Sequence, residues 1–229
     1  MRPPASSVAS PQPLSPIYRR GIEMELSESK LTVLDQIASS DKVRRKIMDV
    51  ASALYAKKGF TGTSIQEISE KAGVSLPVTH HYVKKKSEVM RMIMEDVLNI
   101  FRESLIRQIQ GIDDPKEKLT AAIMLYFKVV DQQKEKALLI YQKSSALDKT
   151  SKSHVMQLEV AVSNIFGKII KEGMERGVFK KVDVDLMAYN IIIMAHMYIL
   201  KRWHFKKRLT LEKYTDLQLS MIMDALMKS

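Results

Sequence analysis

Two clusters of cations, Arg44-Arg45-Lys46 and Lys84-Lys85-Lys86, frame the part of this sequence best equipped for chemistry. Between Asp41 and Arg91 eleven lysines and arginines face five acids, so over half of the net charge of +11 lies in under a quarter of the 229 residues. A lysine triplet alone is usually a solvated surface. Charges at this density also suit a polyanion, and phosphate neutralisation supplies most nonspecific affinity for nucleic acid. Between the clusters stand side chains able to meet base edges: Leu76, Pro77, Val78 and His81. Valine and proline can touch a thymine methyl, and His81 can donate to a purine N7 or to a phosphate. Catalysis has poor support, because no HExxH, GxSxG, Walker or GxGxxG pattern is present. His80 and His81 point roughly 100° apart on a helix and make no metal pair. No cofactor is implied, and the chain reads as a binding protein rather than an enzyme.

The elements that would position these groups run from Ser64 to Lys86. Ser64 with Glu67 three residues on fits a capping box, as does Thr63 with Gln66. Ile65, Ile68 and Ala72 give the following helix one apolar face, and Gly73 can take the left-handed conformation that ends it. Val74 is an apolar plug, Ser75 a second N-cap, and Leu76 to Lys84 a second helix with Pro77 in its first turn. Two helices joined by a short glycine-containing turn make a helix-turn-helix, whose second helix enters a DNA major groove.

The flanks sharpen this. Ala53-Leu54-Tyr55-Ala56-Lys57-Lys58-Gly59-Phe60 ends the preceding helix; Thr63, Ile65, Ile68, Ala72-Gly73-Val74-Ser75, His81-Tyr82 and Lys84-Lys85-Lys86 follow. On these residues the stretch from Lys42 to Met92, roughly a fifth of the chain, resembles the TetR family of bacterial transcriptional regulators. The resemblance implies phosphate contacts from Thr63, Tyr82 and Lys86, with Arg44, Ser75 and Lys84 in the same footprint. It implies sequence-specific repression relieved by a small molecule, and a homodimer on double-stranded operator DNA. Pro77 stands where the family has a small residue, His80 where it has tyrosine, and Val83 where it has phenylalanine. Those departures leave the fold expectation intact and the operator sequence unread.

The rest of the chain reads as helix. After a Pro/Ser-rich start over residues 1 to about 20, few glycines and prolines interrupt it. Residues 1–38 are expected to be a disordered or weakly helical tail, with Met24 beginning a more ordinary sequence. A DNA-binding domain is expected over 39–86 and a helical effector-binding and dimerisation domain over 87–229. Helices are predicted from Asp41 to Lys58, Ser87 to Gln110, Pro115 to Gln133 and Glu135 to Leu147. Three more follow: one from Ser151 or Ser153 to Gly177, then Val184 to Phe205, then Thr210 to Met227. The architecture is all-α, with nine helices. Ile191 to Leu200 is apolar except for His196, but Asp185, Asn190 and Lys201 bracket it too closely for a membrane span of ~20 residues. It reads as a buried or interfacial helix, and the last two helices as the dimer contact. The absence of cysteine and of an apolar leader fits the cytoplasm.

For an effector, Tyr126, Phe127, Met156, Glu159, Ile192, His196, Arg202 and Trp203 are the candidate lining. Glu159 sits among the apolar Val155, Val162 and Phe166 at helical spacing, and methionine-rich stripes offer a pliable wall, although such stripes are more often plain core. The segment Lys201 to Glu212 looks like its counterpart in TetR members that sense acyl-CoA or other lipids. A long-chain acyl-CoA is therefore the first expectation, with Lys201, Arg202 and Lys206 near Trp203 for its phosphates. A tilt of the Ser87–Gln110 helix would carry the signal to the DNA. Two rivals stand beside this reading. One is a dimeric DNA binder indifferent to ligand, and the other a helical carrier or enzyme for a lipophilic compound.

Overall fold

The computed structural model describes residues 40–143 and 146–227. The expected tail over 1–38 lies outside them. Residues from Lys46 onward form one compact unit, and of the unit before it only residues 40–45, the start of helix α1 (40–58), are described.

Nine further helices follow: α2 (Ile65–Ala72), α3 (Leu76–Tyr82), α4 (Lys86–Ile109), α5 (Pro115–Gln132), α6 (Lys134–Lys143), α7 (Lys149–Glu175), α8 (Val184–Leu200), α9 (Arg202–Phe205) and α10 (Leu211–Leu226). Among the described residues there is no strand, only an isolated bridge between Phe179 and Met227. The starts follow side-chain capping. The carboxylate of Asp114 accepts from the Glu117 N–H at 2.8 Å, and that of Asp183 from the Leu186 N–H at 2.9 Å. Asp148 accepts from both the N–H and the hydroxyl of Ser151, so α7 begins at Lys149, upstream of the serines predicted to open it.

Two other boundaries differ from expectation. Helix α3 stops at Tyr82, because Val83 turns its fully buried side chain inward with an extended backbone (φ −143°). The predicted helix from Val184 to Phe205 breaks at Lys201, which makes ten helices of nine. An aromatic cluster accounts for the break. Tyr214 of α10 lies 4.9 Å from Tyr198 and 5.1 Å from Phe205, and its hydroxyl donates to the Met194 carbonyl at 2.7 Å. Packing Phe205 into this cluster draws the chain off the α8 axis and back toward α10.

Helix α4 is the spine. It buries Val89, Met90, Ile93, Met94, Val97, Leu98, Phe101 and Leu105, chiefly against α5 and α7. Its first turn also underlies the reading head, since the Tyr55 hydroxyl of α1 donates to the Lys86 carbonyl at 3.3 Å. At the far end the α7–α8 loop closes on α10, the Lys180 N–H donating to the Leu226 carbonyl at 2.8 Å. Gly173 allows that closure: a Cβ there would meet the buried Phe179 ring at 2.1 Å. Gly173→Val is therefore expected to lower stability by about 1–3 kcal/mol through overpacking, well beyond the helix propensity it recovers. Urea unfolding midpoints at unchanged m-value measure it, and an unshifted midpoint would mean that Phe179 yields freely.

Candidate functional site

Helices α2 and α3 form the expected corner. The Ser64 hydroxyl accepts from the Glu67 N–H at 3.1 Å, and Glu67 also pairs with Lys58 of α1. Gly73 takes φ 58°, and the Val74 N–H returns to the Ser69 carbonyl at 3.0 Å, which closes α2 and turns the chain. Ser75 occupies the N-cap of α3, but its side chain makes no capping bond and stays exposed. Thr79 anchors α3 from below, fully buried, its hydroxyl donating to the Ser75 carbonyl at 3.2 Å. Leu76, Pro77, Val78 and His81 are thereby left in solvent. Tyr82, half-buried, meets the His81 ring edge-on at 5.3 Å.

Two residues expected at phosphates are placed otherwise. Thr63 is 2% exposed, and its hydroxyl donates to the Gly59 carbonyl at 2.9 Å, finishing α1 rather than facing outward. The Lys86 ammonium donates to the Phe60 and Thr61 carbonyls at 2.9 and 3.3 Å and lies 4.8 Å over the Phe60 ring. It holds the α1–α2 corner, because orphan carbonyls there need a donor. Lys84 and Lys85 are exposed, the Lys84 ammonium donating to the His80 carbonyl at 2.8 Å. Arg44 is exposed near the start of α1.

Four of the eight predicted effector residues converge. Tyr126, Glu159, Ile192 and His196 line one cavity of about 150 Å³, together with Leu98, Tyr141, Val162, Tyr189 and Ile193. His196 is its hub: Nε2 lies 3.1 Å from the Tyr126 hydroxyl, and Nδ1 is hydrogen-bonded to that of Tyr141. Burial pulls the His196 pKa down to about 4, so the ring is neutral at pH 7. Burial likewise pushes the Tyr141 phenol up to about 12 and lifts the Glu159 carboxyl above its usual range.

The other four lie elsewhere. Phe127 is buried against Tyr214 at 6.1 Å, while Met156 and Trp203 are exposed. The Arg202 guanidinium is ion-paired with Asp131 and lies 5.8 Å from the Tyr198 ring, which engages the cation expected for a CoA phosphate. Of the residues that were missed, Tyr189 and Ile193 had a signal: with Ile192 and His196 they make an i, i+3, i+4, i+7 stripe on α8. Tyr141 had none.

One further cation ties α6 to both α1 and α4. Lys136 of α6 lies 3.0 Å from Asp49 of α1 and 3.1 Å from Asp96 of α4. Burial alone would depress its pKa, but hydrogen bonds to both carboxylates outweigh that and raise it. Among the described residues no group of acids and histidines could hold a metal ion, and no helix is long and apolar enough to cross a membrane.

Residues 47–92 match the family described as bacterial regulatory proteins, TetR family, and residues 112–226 match its tetracyclin repressor-like C-terminal domain. The chain belongs to the TetR family of bacterial transcriptional regulators. It is 27% identical over 195 residues to the HTH-type transcriptional regulator HbdR of Aromatoleum sp. (strain CIB), covering 85% of each chain. Its fold is that of PfmR, a TetR-family regulator from Thermus thermophilus (TM-score 0.69, 22% identity, 80% of this chain and 99% of that one). It is also that of AibR, solved with isovaleryl coenzyme A and operator DNA (TM-score 0.68, 21% identity, 78% and 97%). The relatives it matches are transcriptional regulators rather than enzymes.

Proposed function

We propose that the protein is a homodimeric repressor that reads duplex operator DNA through α3 and lets go when a small effector enters the cavity around His196. Residues 39–86 are the DNA-binding part and 87–229 the effector-binding and dimerising part. One observation carries this: Leu76, Pro77, Val78 and His81 are presented to solvent on a helix pinned by a buried Thr79, next to exposed Lys84 and Lys85. Apolar side chains held rigidly outward beside cations serve a partner rather than the fold. The cavity supports a ligand-responsive regulator over a constitutive one. AibR, of the same fold, has been solved with an acyl-CoA and operator DNA together, which favours an acyl thioester as the effector. At about 150 Å³ this cavity suits a short acyl group rather than the long chain expected from sequence.

The test separates charge from readout. Lys85→Ala is expected to weaken binding to all duplexes alike and to lower the log–log salt slope by about 1. Val78→Ala should reduce the preference for operator over random duplex and leave nonspecific affinity alone. Lys86→Ala, by contrast, should lower thermal stability, since it strips two carbonyls of their donor. Equal losses for Val78→Ala on operator and random DNA would make Val78 a packing residue and undo the assignment of α3.

A further inference from the structure

The hydrogen-bond inventory of the cavity is unbalanced in a way that specifies a ligand. Tyr126, His196 and Tyr141 hold three protons, on two hydroxyls and one ring nitrogen, and make two hydrogen bonds between them. One O–H is left over, and burial decides which. Tyr126 is 2% exposed and has no other acceptor among the described residues, so its hydroxyl must donate to His196 Nε2. Nδ1 then carries the ring proton and donates to Tyr141. The spare O–H therefore belongs to Tyr141, whose side chain stands in the cavity wall and is 41% exposed.

The same wall holds a spare acceptor. Glu159 lines the cavity, yet among the described residues it has no hydrogen bond and no ion pair. Its charge is felt at the hydroxyls of both Tyr126 and Tyr141. A half-buried carboxylate without a donor is an unfavourable arrangement that a ligand can relieve.

Resting on the reading of this cavity as the effector site, we infer that the effector places a neutral hydroxyl group between Tyr141 and Glu159. A hydroxyl both accepts, here from Tyr141, and donates, here to Glu159. A ketone, ester or thioester carbonyl alone would leave Glu159 unanswered, so an acyl thioester meets the site only when its acyl group bears the hydroxyl. An ammonium has no lone pair to take the Tyr141 proton, and a carboxylate would be repelled by Glu159. Volume restricts what bears the hydroxyl. A cavity of about 150 Å³ is the size that admits one benzene ring in an engineered apolar core, so the buried moiety is a single ring or a chain of about six carbons. Leu98, Val162, Ile192 and Ile193 supply its apolar wall.

Phenol and toluene are near-isosteric and differ in this one group, so titrating each into the wild-type dimer at millimolar concentration, followed by side-chain NMR shifts of the cavity, is decisive. Phenol is expected to bind about tenfold or more tighter than toluene, because a site built around a hydroxyl penalises the analogue that leaves its polar groups unpaired. Tyr141→Phe and Glu159→Leu should each shrink that ratio toward one while still binding toluene, which shows that the variants fold. Toluene binding as well as phenol would overturn the hydroxyl assignment and leave an apolar effector site standing. A phenol preference that survives both substitutions would overturn it as well. Binding of neither would remove the cavity as a ligand site altogether.

Discussion

Ile193→Glu is expected to turn the protein into monomers and to abolish tight operator binding. Helix α8 buries Ala188, Ile191, Ile192, Ala195, Tyr198 and Ile199 on its inner side. Its outer side is still apolar: Leu186, Tyr189, Ile193 and Leu200 are exposed, beside the equally exposed Leu217 and Met221 of α10. Six large apolar side chains on two neighbouring helices form the kind of patch that soluble proteins cover with a partner. A second copy meets it by symmetry, two helices from each subunit packing as a four-helix contact. A glutamate at its centre would be buried without a cation, at a cost of several kcal/mol, enough to outweigh a dimer held at micromolar strength. A single α3 then contacts too few phosphates and bases to hold an operator half-site. Because Ile193 also lines the cavity, Met221→Glu on α10 is the companion variant, expected to give the same monomer. Sedimentation velocity at micromolar concentration and operator titration measure the two effects. A wild-type monomer, or dimers in both variants, would end the proposal.

The sequence was most legible where one local rule decided the outcome. Ser64, Gly73 and Asp114 do what their types and positions predict, since capping is a contact within four residues. It was least legible where tertiary partners decided. Nothing near Lys201 announces a break, because the cause is Tyr214 on another helix. Thr63 and Lys86 resemble family positions in type, yet type alone cannot say whether a hydroxyl or ammonium faces a phosphate or a carbonyl of its own chain. The cavity divided on the same principle. Residues on the α8 stripe could be seen to share a face, and Glu159 stood out as an acid among apolar neighbours. Tyr141, on a helix with a weak pattern, reaches His196 across 55 positions of sequence. Trp203 and Met156 drew attention by size and softness, which are properties of core and surface alike.

Lys136→Met is expected to uncouple the effector from the DNA while leaving each able to bind. Helix α6 carries both Tyr141, in the cavity wall, and Lys136, which joins Asp49 of α1 to Asp96 of α4. The two side chains are five residues apart, about 7.5 Å along the helix axis, so a ligand that displaces Tyr141 moves Lys136 with it. Helix α1 packs beneath the reading head and α4 begins directly after Lys85, so this link reaches the DNA side by a shorter path than a tilt of α4 alone. Methionine keeps the apolar stem and removes the charge. Asp49 loses little, at 64% exposure, while Asp96, at 30%, is left partly buried with its donor gone. A stability loss of about 1–2 kcal/mol follows, short of unfolding. If effector and operator are coupled by about 1–3 kcal/mol in the wild type, effector lowers DNA affinity roughly 5–150-fold. In Lys136→Met that factor should approach one. Linkage supplies the check, since the effect of operator on effector affinity must fall by the same factor. Full release in Lys136→Met would return the signal to α4, and loss of effector binding itself would make Lys136 part of the pocket's support rather than its messenger.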